Sequence, residues 1–91
     1  MIKIENWSIV NKDPYKAPEV QKQYLKGNVY GHPTIEDGKL VVTSSIVKEK
    51  DGFIITKSGN IYELGKVDKE YEKFFPDAKN RLINFLKNKE K

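Results

Sequence analysis

The run Leu40-Val41-Val42-Thr43-Ser44-Ser45-Ile46-Val47 leads into Lys50-Asp51-Gly52 and returns as Phe53-Ile54-Ile55-Thr56-Lys57. Two β-branched runs on either side of an Asp-Gly pair are the signature of a type I′ hairpin, because Gly takes a positive φ without steric cost. Ser58-Gly59-Asn60 reads as a second turn and Ile61-Tyr62-Glu63-Leu64 as a third strand. Residues 39–64 therefore read as a three-stranded meander whose tight turns leave little freedom of register. With Asp51-Gly52 as its centre, residue pairs summing to about 103 face each other. On that register Val47 faces Thr56, Ser45 faces Ser58 and Thr43 approaches Asn60.

Upstream, Ile2 and Ile4 alternate with Lys3 and Glu5, and the apolar set changes face near Asn6-Trp7. That predicts a strand over about 2–10 with a twist or bulge at this point. Asp13-Pro14-Tyr15-Lys16-Ala17-Pro18 forbids regular structure, since each Pro fixes its own φ and pushes its predecessor towards extended backbone. Glu19–Lys26 reads as one helical turn or an extended arm. Gly27 and Gly31-His32-Pro33 bracket a short strand, Asn28-Val29-Tyr30.

Downstream of Asp68 the period changes. Tyr71, Phe74, Phe75, Ala78, Leu82, Phe85 and Leu86 keep i, i+3, i+4 spacing, which predicts one apolar helical stripe covering the sheet. Asp68 is placed as an N-cap. Pro76 either kinks one long helix or opens a second at its first turn, and two short helices sharing the stripe is the preferred reading. The Lys-rich last five residues are expected to fray. The fold class is α+β: an N-terminal antiparallel sheet, a meander of about 4–6 strands, with a C-terminal helical pair packed on it. The chain is expected to be one domain, 1–91, with a β-rich part over 1–65 and a helical tail over 66–91.

Composition narrows the function classes. The 91 residues contain no Cys, which rules out disulfides and thiolate metal sites and favours a reducing cytoplasm. No signal-peptide pattern opens the sequence and no apolar run approaches the ~20 residues of a membrane span. The net charge is +4, and sixteen of the seventeen cations are Lys. Residues 66–91 hold most of the excess, with eight Lys/Arg against five Asp/Glu. Arg81 is the only arginine. Lys is a hydrated point charge, whereas Arg is the fork that reads phosphates and bases, so a dedicated duplex reader would use more Arg.

Catalytic patterns are missing. His32 is the single imidazole, so neither a transition-metal site nor a Ser–His nucleophile is assembled around Ser44, Ser45 or Ser58. Glu36-Asp37 flanks a turn, where solvated acids sit. Gly27-Asn28-Val29-Tyr30-Gly31 has neither the spacing nor the Lys-Ser/Thr of a phosphate loop. It frames Tyr30 and His32 closely, as a ligand approach or as plain turn punctuation. On the inferred register, Thr43-Ser44-Ser45 and Thr56-Lys57-Ser58-Gly59-Asn60 form a strip of hydroxyls with one amide and one ammonium. Such a strip binds a polar ligand or makes a hydroxyl ladder that only stabilises the sheet. Trp7, Tyr15, Tyr24 and Tyr30 are available for stacking on a base or for capping a small core.

The pattern Gly27-Asn28-Val29-Tyr30-Gly31-His32-Pro33, Asp37-Gly38, Thr43-Ser44-Ser45-Ile46-Val47 and Thr56-Lys57-Ser58-Gly59-Asn60-Ile61-Tyr62-Glu63-Leu64-Gly65 resembles a group of short bacterial and phage proteins of unassigned function. Asn6-Trp7-Ser8 and Asp13-Pro14-Tyr15-Lys16-Ala17-Pro18-Glu19 fit it too, and the likeness runs over about residues 4–75. In size and in the order of sheet then two helices, the chain also resembles the phage anti-defence proteins that sequester cyclic nucleotide signals, the Thoeris antagonists among them. That resemblance implies capture of compact nucleotides through arginines, aromatics and amides.

The reading reached from the sequence is a non-catalytic binding protein, with no cofactor and no metal, that captures a small anionic nucleotide-like molecule. Tyr30 and His32 are assigned to stacking and edge contacts, Ser45, Ser58 and Asn60 to hydrogen bonds, and Lys57 and Arg81 to charge. A homo-oligomer is expected, because a small domain builds a pocket more easily at a subunit interface. The alternatives are a single-stranded nucleic-acid platform and a protein–protein inhibitor or adaptor.

Overall fold

The computed structural model describes residues 1–11 and 23–89. Along them run β1 (Ile2–Asn11), β2 (Gln23–Tyr30), β3 (Lys39–Lys50), β4 (Phe53–Thr56), β5 (Ile61–Leu64), α1 (Lys69–Phe74) and α2 (Ala78–Lys89). The loop expected over Asp13–Pro18, the first half of the Glu19–Lys26 arm and the end of the tail lie outside the described residues. What is described of that arm, from Gln23 onward, is strand. Gly27 therefore sits inside β2 rather than at its start.

The five strands close into a barrel in the order β1-β2-β3-β4-β5. This corrects the open antiparallel sheet expected from the sequence. Each successive pair is antiparallel, so direction reverses four times and the fifth strand runs with the first. The closing seam is accordingly parallel, with Ile2, Ile4 and the Lys3 between them opposite Tyr62, Leu64 and Glu63. Beyond it the pairing continues: Gly65 N–H donates to Ile4 O at 2.8 Å and Asp68 N–H to Trp7 O at 2.9 Å.

Closure needs curvature, and bulges supply it. In β1 the register with β2 slips between Glu5 and Ser8, and Asn6 takes φ 53°. The slip moves the inward positions from Ile2 and Ile4 to Trp7, the bulge read at Asn6-Trp7. β3 slips twice, between the rungs Tyr24–Ser45 and Lys26–Val42 and again between Ile46 and Lys48. Its buried residues are therefore spaced by three, at Thr43, Ile46 and Glu49, instead of by two.

The hairpin is as read, with Asp51 at φ 53° and Gly52 at φ 87°, both central residues in the positive region a type I′ turn demands. Glu49, buried beneath it, accepts the Gly52 N–H on Oε2 at 2.7 Å. The first three rungs, Lys50–Phe53, Glu49–Ile54 and Lys48–Ile55, keep the inferred register. The bulge at Val47 then shifts it by one, so Ile46, not Val47, faces Thr56.

The barrel core is Ile2, Ile4, Trp7, Leu25, Val29, Ile46, Ile54, Tyr62 and Leu64. Trp7 fills its centre fully buried, and its indole N–H donates to Gly65 O at 3.1 Å. The helices cover it less broadly than the stripe implied. Ala78, Leu82 and Leu86, spaced by four on α2, are buried, and α2 packs on β3. No residue of α1 is fully buried, and Phe74 is 78% exposed. The break at Phe75–Asp77 makes the tail two short helices, as preferred from the sequence, and α1 meets the core through half-buried Tyr71. Phe85 is also half-exposed at 52%. Asp68 stands at the N-cap without a side-chain capping bond, and only its carbonyl accepts the Glu72 N–H, at 2.8 Å.

Candidate functional site

The hydroxyl strip forms, with different partners from those inferred. Ser44 Oγ, not Ser45 Oγ, donates to Ser58 Oγ at 3.0 Å and accepts the Ser58 N–H at 3.1 Å. Thr56 Oγ1 lies 3.2 Å from Ser58 Oγ and donates to Asn60 O at 3.5 Å. Thr43 Oγ1 turns inward to accept the Leu25 N–H and donate to Ser44 O. Ser45 contributes its carbonyl to the Lys57 N–H at 2.8 Å. These hydroxyls bond one another and the backbone, as in a ladder that pins the β3–β4 pair and the turn after it. Lys57 stands exposed beside them.

Tyr30 and His32 lie elsewhere. Ser45 pairs with Tyr24 at the other end of β2. Tyr30 is six residues further along that strand, roughly 20 Å away at the strand rise. Tyr30 leans towards the following loop, where a Cβ on Gly38 would meet its hydroxyl at 3.8 Å. His32 Nδ1 accepts the Thr34 N–H at 3.1 Å. The two glycines framing this segment serve the backbone. A Cβ on Gly27 would lie 2.7 Å from Glu5 O, and Gly31 adopts φ 77° beside Met1 O. The seven residues named from sequence are thus divided between the strip, the Tyr30–His32 corner and α2, which carries Arg81.

Around Arg81 a different arrangement appears. A groove of about 490 Å³ runs between the helical pair and the β1–β2 end of the barrel, lined by Ile9, Gln23, Tyr71, Phe75, Ala78, Arg81, Leu82, Asn84 and Phe85. Helical spacing sets three of these side by side, since Arg81, Asn84 and Phe85 stand at i, i+3 and i+4 of α2. Tyr71 of α1 and Phe75, the residue that ends that helix, are a second i, i+4 pair, with ring centroids 4.8 Å apart. Tyr71 backs onto Trp7 at 6.4 Å, which ties the groove to the core. The Arg81 guanidinium sits 5.9 Å from the Phe75 ring centroid, within reach of its π face.

Burial pushes the Tyr71 phenol above its ordinary 10.0, against the opposing pull of an Ile9 backbone hydrogen bond and of the Arg81 charge. The phenol is therefore neutral near pH 7, and it joins the groove as an aromatic wall, not as an anion. Among the described residues no carboxylate pairs with Arg81 or lines the groove. The side-chain amides of Gln23 and Asn84 have no hydrogen-bond partner among the described residues either. The same residues provide no group of three His, Asp or Glu that could hold a metal ion.

Of the residues named from sequence, Arg81 alone lines this groove. Gln23, Tyr71, Phe75, Asn84 and Phe85 were missed, because the aromatic residues of the tail were read wholly as core. The available signal was the sole arginine flanked on its own helix face by Asn84 and Phe85. No protein-family model, curated protein or solved structure matches the chain.

Proposed function

We propose that this protein is a non-catalytic binding module that captures a small, anionic, nucleotide-like molecule in the groove between the helices and the barrel, acting in the cytoplasm as a sponge. The observation that carries this reading is Arg81, without a carboxylate partner among the described residues, set among Tyr71, Phe75 and Phe85 over an aliphatic floor. Aromatic walls receive a planar ring, and a guanidinium offers forked donors to a phosphate. A groove of about 490 Å³ falls within the roughly 300–1,000 Å³ of small-molecule sites. The groove is preferred over the strip because the hydroxyls of Ser44, Thr56 and Ser58 bond one another and the backbone, whereas the head groups of Gln23, Arg81 and Asn84 have no hydrogen-bond partner among the described residues.

Isothermal titration against cyclic and linear nucleotides tests this. Arg81→Ala should weaken binding at least about tenfold, since a charge-assisted hydrogen bond contributes roughly 1.5–3 kcal/mol. Lys57→Ala should leave affinity unchanged. The reverse result would move the site to the strip, and no heat from any nucleotide would end the reading. A sponge also returns its ligand chemically intact, which mass spectrometry of the heat-released molecule checks.

A second reading has its own observation. Phe74 is 78% exposed, and Phe85, in the groove lining, is 52% exposed. Exposed aromatics of this kind suit a protein partner or a second copy of the chain. Native mass spectrometry distinguishes the two, and a homo-oligomer is the state we propose.

A further inference from the structure

Resting on the nucleotide reading above, we infer that the groove selects a base with a purine-type amino edge carrying a single phosphate, and gains nothing from further phosphates. Charge is the first argument. Arg81 is the one charged side chain among the described residues that line the groove. A single guanidinium fork engages one phosphate bidentately. A second or third phosphate meets no further cation among the described lining residues, so it remains in water and adds little.

The second argument is the pair of amides. Gln23 stands at the start of β2 and Asn84 on α2, so they reach the groove from two different elements. Each offers a carbonyl acceptor and an NH₂ donor side by side. That pairing matches a base edge with an amino donor next to a ring-nitrogen acceptor, the edge by which Asn and Gln recognise adenine. Neither amide is engaged by another described residue, so both are available to a ligand. Phe75, 39% exposed, and Phe85 leave ring surface for the base itself, and stacking on such faces is tolerant of base identity. Discrimination between bases therefore falls to the amides, and discrimination between nucleoside and nucleotide falls to Arg81.

The test is titration calorimetry at one fixed ionic strength with adenosine, its 5′-mono-, di- and triphosphates, and uridine monophosphate. Adenosine monophosphate should bind at least about tenfold tighter than adenosine, the fold-change expected of one charge-assisted bond. The di- and triphosphates should bind within about threefold of the monophosphate, and uridine monophosphate at least about threefold more weakly. Arg81→Gln should erase the difference between adenosine and its monophosphate. Asn84→Leu should narrow the adenine-to-uracil ratio. Both side chains are exposed, and unchanged circular dichroism melts verify that the variants fold. A triphosphate more than threefold tighter than the monophosphate, or indifference to the base, overturns this inference and leaves the nucleotide reading standing. Failure of every nucleotide and nucleoside to bind overturns both.

Discussion

Replacing Gly27 with Ala places a methyl group where β1 and β2 come closest. A Cβ there would sit 2.7 Å from Glu5 O, 2.8 Å from Ile4 Cγ1 and 3.1 Å from Trp7 Cα, where ordinary contact begins at 3.4 Å. Two of those three atoms are backbone, and both belong to the β1 bulge that turns Trp7 into the core. They cannot yield without moving the bulge. Overpacking of this kind costs roughly 1–3 kcal/mol, and the rigid neighbours put it in the upper half of that range. Against it stands the usual gain from Gly→Ala in the unfolded chain, about 0.4–1 kcal/mol. The net expectation is a loss of about 1–2.5 kcal/mol. For a domain of this size each kcal/mol shifts Tm by roughly 4–8 °C, so a fall of about 4–20 °C is expected. Circular dichroism melts measure it, and urea titration with an unchanged m-value assigns the loss to the native state. A Tm equal to or above wild type would refute the close approach of β2 to the bulge.

Gly52→Val should cost about 1 kcal/mol or more by thermal melt, and since a Cβ at position 52 would meet nothing within 4 Å beyond its chain neighbours, the cost is that of the positive φ. Leu82→Ala should lose roughly 2–5 kcal/mol in denaturant titration because it opens a cavity beneath α2, and a loss near zero would mean the helix is not seated on β3. The Glu5 carboxyl is held below its ordinary 4.5 chiefly by the Lys66 N–H, which donates to Oε2 at 2.9 Å, helped by Lys3. Its contribution to stability is therefore complete above pH 4.5 and disappears as pH falls through the lowered value. Glu5→Gln should melt below wild type near neutrality, with the two curves converging in acid, and parallel curves at all pH values would count against that role.

Local signals carried most of the strand pattern. Asp51-Gly52 located its hairpin because a two-residue turn constrains its own φ angles, and the face change at Asn6-Trp7 exposed the β1 bulge because Trp7 must be buried. The two slips in β3 left no comparable mark. Thr43-Ser44-Ser45 is polar on both faces, so nothing in its pattern records where the inward side changes, and the Ser45–Ser58 pairing was consequently off by one. Closure was illegible for a different reason. Whether β5 returns to β1 depends on accumulated curvature, a property of all five strands together and not of any short run. The groove was hidden by the helical period itself. A stripe at i, i+3, i+4 looks the same whether it continues across Pro76 or is split there, and the split is what sets Phe75, at the end of α1, against Arg81 of α2.

The parallel seam also governs when the molecule can become a barrel. Ile2 meets Tyr62, a partner sixty positions later in the chain. At the roughly 5–20 residues per second of synthesis, the first strand waits on the order of 3–12 s for the strand that completes its hydrogen bonding. The β3–β4 hairpin needs only local contacts and is free to form in that interval, while β1 keeps one edge unpaired. Long-range pairing of this kind lowers folding rates relative to local pairing. The seam is expected to be the last region protected from amide hydrogen exchange during refolding, with the Gly65 and Asp68 amides following the hairpin amides.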